Sequence, residues 1–213
     1  MTRRNHGERA VIYKLCSLAL QYPDEQILGD RGHLTAAVTS LAHDRPGALL
    51  RTFFAWLAST SSLAIAQEYV KTFDLAKRST LYLTFYALGD RRDRGLALLR
   101  LKRLYRAAGL PLHDRELPDF LPVMLEFASA AAPGQGEVVL REHRPALELV
   151  RLSLRDQGSP YSAVLEAVCE QVGAISAGDR LSLDRLLAQG PPQELVGLEP
   201  FAPPEVMPTA ARR

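Results

Sequence analysis

Cysteine is scarce in this chain, with two in 213 residues, Cys16 and Cys169, far apart and without a neighbour at metal-ligand spacing. That excludes a disulfide framework and a cysteine-based metal site, and it fits a protein of the reducing cytoplasm. Each thiol is expected to act as a small apolar residue. Charge of one sign is lacking too: 26 Lys and Arg stand against 24 Asp and Glu, so the balance of +2 demands neither a nucleic acid nor a membrane surface as partner. No apolar run approaches the ~18 residues of a spanning helix, so membrane insertion is not expected. The N-terminus turns from basic to apolar as a secretory signal does. Tyr13, Lys14 and Gln21 interrupt the apolar stretch, however, and Tyr22-Pro23 is no small-residue cleavage site. A first helix is the expectation.

Catalytic constellations are missing as well. There is no GxxxxGK loop for phosphate, no GxGxxG after a strand and no GxSxG elbow to present a nucleophile. The five histidines, His6, His33, His43, His113 and His143, have no spacing that suits zinc. No enzyme, no catalytic or metal-binding residue and no cofactor of its own is therefore expected.

What is present is helical period almost throughout, without the β-branched clusters that mark strands. Val11, Leu15, Leu18 and Tyr22 share one face of the first helix, which Pro23 stops. Pro46 belongs in the first turn of a helix with Leu49, Leu50, Phe53, Phe54 and Leu57 as its core stripe. Ser61-Ser62 caps the next, which carries Leu63, Ala66, Tyr69, Val70 and Phe73. Further helices are expected at about 81–88, 91–108, 120–132, 137–157 and 161–172, with Gly89 and Gly109 ending the first two. The expected fold class is all-α, one helical domain over 1–173. Pro191-Pro192 and Pro203-Pro204 break up the rest, so 174–213 is expected to be a Pro/Gly-rich mobile tail in which only 183–187 docks. A chain ending near Gly173 should then still fold.

The stretches Glu68-Tyr69-Val70-Lys71-Thr72-Phe73-Asp74, Ser79-Thr80-Leu81-Tyr82-Leu83-Thr84 and Gly89-Asp90-Arg91-Arg92-Asp93-Arg94-Gly95 follow one another in order. After them come Tyr105-Arg106-Ala107-Ala108-Gly109-Leu110 and the run from Glu116-Leu117-Pro118-Asp119-Phe120 to Phe127. In order and spacing they resemble the nitrate reductase molybdenum cofactor assembly chaperones, the delta subunit or NarJ family, from the first helix to about Val172. The resemblance implies a helical bundle similar to the TorD-like chaperone fold and no catalysis. It also implies a transient cytoplasmic partnership with the catalytic subunit of a nitrate reductase, chiefly its N-terminal segment, held until molybdenum cofactor is inserted. Relatives in the wider group of redox-enzyme maturation chaperones often carry Pro-Asp-His where this chain has Pro118-Asp119-Phe120, so no role of that histidine carries over.

Client-binding candidates are Tyr69, Phe73, Asp74, Tyr82, Tyr86, Leu96, Leu99, Asp119 and Phe120. Aromatics with a polar tip suit interface anchors, while Asp74 and Asp119 suit a basic client segment similar to a remnant twin-arginine signal. Each has a plainer reading. Tyr69 and Phe73 lie four apart, as core residues do, and Asp119 follows Pro118 where a helix cap belongs. The helix at 91–106 carries Arg91, Arg92, Arg94, Arg100, Lys102, Arg103 and Arg106 against Asp93 alone, with Leu96 and Leu99 among them. Its basic surface (Arg91, Arg92, Arg94, Arg100, Arg103) raises the alternative of a small helical nucleic-acid-binding regulator. Leucine and tyrosine at core spacing oppose that alternative, so no stable nucleic-acid partner is expected. A monomer or weak dimer is.

Overall fold

The computed structural model describes residues 3–76, 78–89, 92–112 and 116–190, with side chains from residue 7. Helices run in chain order as α1 (Arg3–Ala19), α2 (Glu25–Gly29), α3 (Arg31–Thr39), α4 (Arg45–Ser59) and α5 (Ser62–Tyr69), which continues into a π-helical turn at Val70–Asp74. Then come α6 (Leu83–Leu88), α7 (Arg92–Ala107), α8 (Leu121–Ala130), α9 (Gln135–Glu142), α10 (Arg144–Asp156), α11 (Ser162–Val172) and α12 (Ala177–Gln189). Among the described residues there is no strand, so the chain is the expected all-α bundle. One isolated antiparallel bridge joins Tyr82 to Phe120.

Local chemistry sets most boundaries. Asp44 accepts from the Gly47 amide at 2.9 Å and Pro46 stands in the first turn of α4; Ser61 caps α5 through the Ala64 amide at 3.3 Å. Gly89 and Gly109 hold φ of 56° and 78°, which release the chain after α6 and α7 at no steric cost.

The core gathers around α1, which packs on α8, α11 and α4, while α10 packs on α11, α12 and α6. An aromatic cluster ties α4, α5 and the start of α11: the Tyr161 ring lies 5.1 Å from Phe53 and 4.9 Å from Phe73. Both cysteines are buried, and removal from water pushes the Cys169 thiol up to about 12, so neither is poised to react.

Three expectations change. The buried side of α1 is Ile12, Tyr13, Leu15, Cys16, Ala19 and Leu20, whereas Val11 and Tyr22 are exposed. The expected apolar face is therefore rotated, because α1 is covered by α4 and α11 on one side and α8 on another. The helix expected over 137–157 is two helices, since Pro145 cannot donate within a continuous helix and instead occupies the first turn of α10 after His143. The segment after Gly173 contains a 13-residue helix: Ser176 and Asp179 form a reciprocal capping box, and α12 lays Leu183 on α10. Residues 191–213 of the expected tail lie outside the described residues.

Gly136 allows α9 to cross α8 closely; a Cβ there would stand 2.2 Å from the Ala128 Cα and 2.6 Å from its Cβ. Gly136→Ala should therefore lower stability by about 2 to 3 kcal/mol, a melting point drop of roughly 5 to 10 °C. Gly95→Ala, mid-helix with nothing within 4 Å, should instead gain about 0.5 to 1 kcal/mol. Thermal unfolding by circular dichroism checks both. A second comparison concerns α12: a chain ending at Gly173 should melt roughly 5 °C or more below one ending at Gly190, because Leu183 and its partners on α10 would face water.

Candidate functional site: an apolar groove with an acidic rim

The part of α1 that does not enter the core forms one wall of a cavity of about 820 Å³. Ser17 and Leu18 come from α1, Gln21 and Tyr22 from the turn that follows it, and Pro122, Val123, Glu126 and Phe127 face them from α8. The far side is the irregular segment after α7, where Gly109 turns the chain and Leu110, Pro111 and Leu112 present apolar side chains outside any helix. Tyr69, Tyr105 and Phe120 complete the lining. Ring contacts stiffen it: Tyr22 meets Tyr69 edge-on at 5.4 Å and Tyr105 packs on Phe127 at 4.5 Å. Ser17 Oγ donates to the Pro122 carbonyl at 2.8 Å, fixing α1 against α8 at the floor.

The rim is acidic. Asp24, Glu116 and Glu126 stand against Lys14, which is already held by both Glu126 oxygens at 2.6 and 2.7 Å. Among the described residues the lining thus carries excess negative charge around an apolar floor. Burial pushes the Tyr82 phenol behind this wall upward, with Glu116 and Asp119 adding to the rise and Arg94 opposing it.

The wall holding Phe120 is set from within by Asp119. This carboxylate is fully buried; its Oδ2 accepts from the Thr84 amide at 3.3 Å and from the Thr84 hydroxyl, and lies 3.5 Å from Arg94 Nη2. Arg94 also sits over the Phe85 ring at 5.4 Å. Around this centre, the Leu83 amide donates to the Asp119 carbonyl at 3.0 Å, the Leu121 amide to the Leu81 carbonyl at 2.8 Å and the Tyr105 hydroxyl to the Pro118 carbonyl at 2.8 Å. Asp119 therefore caps α6, far away in sequence. It does not cap its own helix: α8 begins after Phe120 with no side-chain cap.

The structure brings only some of the residues singled out by sequence into the groove. Tyr69 reaches it from the base while donating to the Leu20 carbonyl at 3.1 Å, and Phe120 lines it, its ring 5.1 Å from Tyr82 behind. Phe73 and Tyr86 are core residues; the Tyr86 hydroxyl donates to the Thr80 carbonyl at 2.8 Å. Asp74 is exposed on the π-turn and does not line the groove, though its charge acts on Tyr69, which does, and Asp119 has no surface to offer. Leu96 and Leu99 lie on the outer side of α7. The basic residues do not make one continuous surface, since Arg94 turns inward, Arg100 bonds to Glu142 at 2.8 Å, and Arg92 and Arg103 stay in solvent. Arg91 lies outside the described residues. Sequence reasoning missed Leu18, Tyr22, Leu110, Leu112, Val123 and Glu126; the available signal was the apolar Leu110-Pro111-Leu112 directly after a helix-ending glycine.

Removing the Asp119 carboxylate takes one buried ion-pair partner from Arg94 and the acceptor from the start of α6, so Asp119→Ala should lower stability by roughly 3 kcal/mol. Asp119→Asn, which retains an acceptor, should lose less. Chemical denaturation checks both, and equal stability of the three proteins would remove Asp119 from this role.

Comparison with known proteins follows the same segments. A family model described as nitrate reductase delta subunit matches residues 41–166. The probable nitrate reductase molybdenum cofactor assembly chaperone NarJ of Bacillus subtilis (strain 168) is 32% identical over 79% of this chain and 94% of its own length. The probable chaperone of the same description, NarW, of Escherichia coli (strain K12) is 29% identical over 80% of this chain and 72% of its own. A nitrate reductase-like protein, NarX, of Mycobacterium tuberculosis is 36% identical over 75% of this chain, which spans only 24% of that longer protein. A family match over more than half the sequence, joined to a relative covered nearly end to end, places this chain in the nitrate reductase delta subunit family, a family of cofactor-assembly chaperones rather than catalysts.

Proposed function

We propose that this chain is a cytoplasmic chaperone that binds the apo catalytic subunit of a nitrate reductase, chiefly through that subunit's N-terminal segment, and holds it competent for molybdenum cofactor insertion. The relatives' names point to nitrate reductase assembly, and the groove offers a means of holding a client segment. The observation that carries the reading is an apolar floor of Leu18, Tyr22, Val123 and Phe127 beneath acidic Asp24, Glu116 and Glu126. An amphipathic helix with a basic flank matches both parts, its apolar face seated on the floor and its cations at the rim. An α-helix is about 10 to 12 Å across with side chains, so a cavity of about 820 Å³ takes the apolar face of two or three turns rather than a whole domain. Recognition of that size is reversible, as release of a matured client requires.

No helix of the described residues is long and apolar enough to cross a membrane. The client would thus be met by a chaperone with no spanning helix among its described residues, before assembly is complete.

A synthetic peptide of the catalytic subunit's N-terminal segment should bind one-to-one with Kd on the order of 1 to 10 μM and gain helix by circular dichroism. Leu18→Glu with Val123→Glu should weaken it at least about tenfold while melting close to wild type. Raising NaCl from 50 to 500 mM should also weaken it, because the rim is solvent-exposed. Unchanged affinity in the double variant would reject the groove.

A further inference from the structure

The chemistry that the groove selects also occurs on the outside of this molecule. On α7, Leu101 and Tyr105 enter the core, and at ~100° per residue the opposite side is the stripe Arg92, Leu96, Leu99, Arg103 and Arg106. Leu96 is 64% and Leu99 45% exposed, unusual for two neighbouring leucines on one helix face. Arg92, Arg103 and Arg106 are exposed and enter no ion pair among the described residues. Two leucines flanked by arginines form a basic, amphipathic helical surface, complementary to a floor of Leu18, Tyr22 and Val123 ringed by Asp24, Glu116 and Glu126.

We infer that the occupant of this α7 stripe is the groove of a second copy of this chain, so that the empty chaperone covers its own client site by weak self-association. The inference rests on the reading of the groove as the client site. The two surfaces cannot meet within one molecule: Tyr105 of α7 lines the groove, whereas Leu96 and Leu99 lie on the reverse side of the same helix. Between two molecules they can, the stripe of one copy seating on the groove of another in a head-to-tail contact. Charge favours this occupant, because the stripe carries only cations beside its leucines and the described rim only acids beyond the Lys14 and Glu126 pair. Client binding and self-association then exclude each other. Self-association is lost on client capture, and apolar groove surface is shielded while the chaperone waits.

The test is sedimentation velocity of the full chain from about 1 to 200 μM in 50 and 500 mM NaCl, with and without the client peptide. Association should appear at low salt, weaken at least about fivefold at high salt, and reverse on addition of the peptide. Leu96→Glu with Leu99→Glu should stay monomeric yet bind the peptide within about twofold of wild type, and Leu18→Glu should lose both. A mixture of these two variants restores one intact stripe and one intact groove and should form a heterodimer, which a misfolded variant would not. A chain that binds peptide but remains monomeric throughout would overturn the inference while leaving the client reading intact. Association through the stripe without any peptide binding would support the self-contact and sink the client reading instead. Binding of the stripe to anionic vesicles or to DNA at 150 mM NaCl, without self-association, would also overturn it.

Discussion

A carboxylate taken out of water must be met by donors or by an opposite charge, and Asp119 is met by both. Thr84 offers its amide and hydroxyl, and Arg94 brings a cation that is itself mostly covered. Because these partners belong to α6, α7 and the lead into α8, one buried group ties the α6–α7 pair to a segment some 25 to 35 residues further on. The groove depends on that fixation. Phe120 follows Asp119 directly, Tyr105 is tied to Pro118, and the bridge between Tyr82 and Phe120 holds the strip upright against α1. Asp119 thus shapes a groove that it never lines.

The second requirement falls on α1, which has to serve two surfaces at once. Its core face meets α4 and α11, while Ser17 and Leu18 reach toward α8 and the groove. A helix with apolar residues over so wide an arc cannot be oriented by period alone. The face at Val11, Leu15, Leu18 and Tyr22 is real as a pattern, yet only Leu15 of the four is buried, since the neighbours that decide the matter come from residues 45 to 172. Leu18 and Tyr22 face the groove rather than the core.

Elements governed by local chemistry were legible: the Ser61 cap, Pro46 at a helix start, and glycines with positive φ ending α6 and α7. The break at Pro145 was also available in principle, and the Ser176 and Asp179 box announces α12 as plainly as any cap in the chain. What local pattern does not contain is pairing between distant segments. Asp119 reads as a cap for the helix it precedes, and its true partner lies 35 residues earlier, on α6. Likewise Glu126 and Lys14 become a groove rim only when α1 lies on α8. Among the candidate residues, Tyr69 and Phe120 reach the groove, and the others serve the core, the exposed π-turn or the outer side of α7.

In the proposed function the client is received between α1 and α8, beside the segment that Asp119 holds in place. Hydrogen–deuterium exchange of the full chain with and without the catalytic subunit's N-terminal peptide tests it most directly, because it locates the contact without any substitution. Slowed exchange is expected in the C-terminal half of α1, at residues 109–112 and in α8, with the outer turns of α7 unchanged once protein concentration is kept below self-association. Protection confined to α7, with α1 and α8 exchanging as in the free protein, would contradict it.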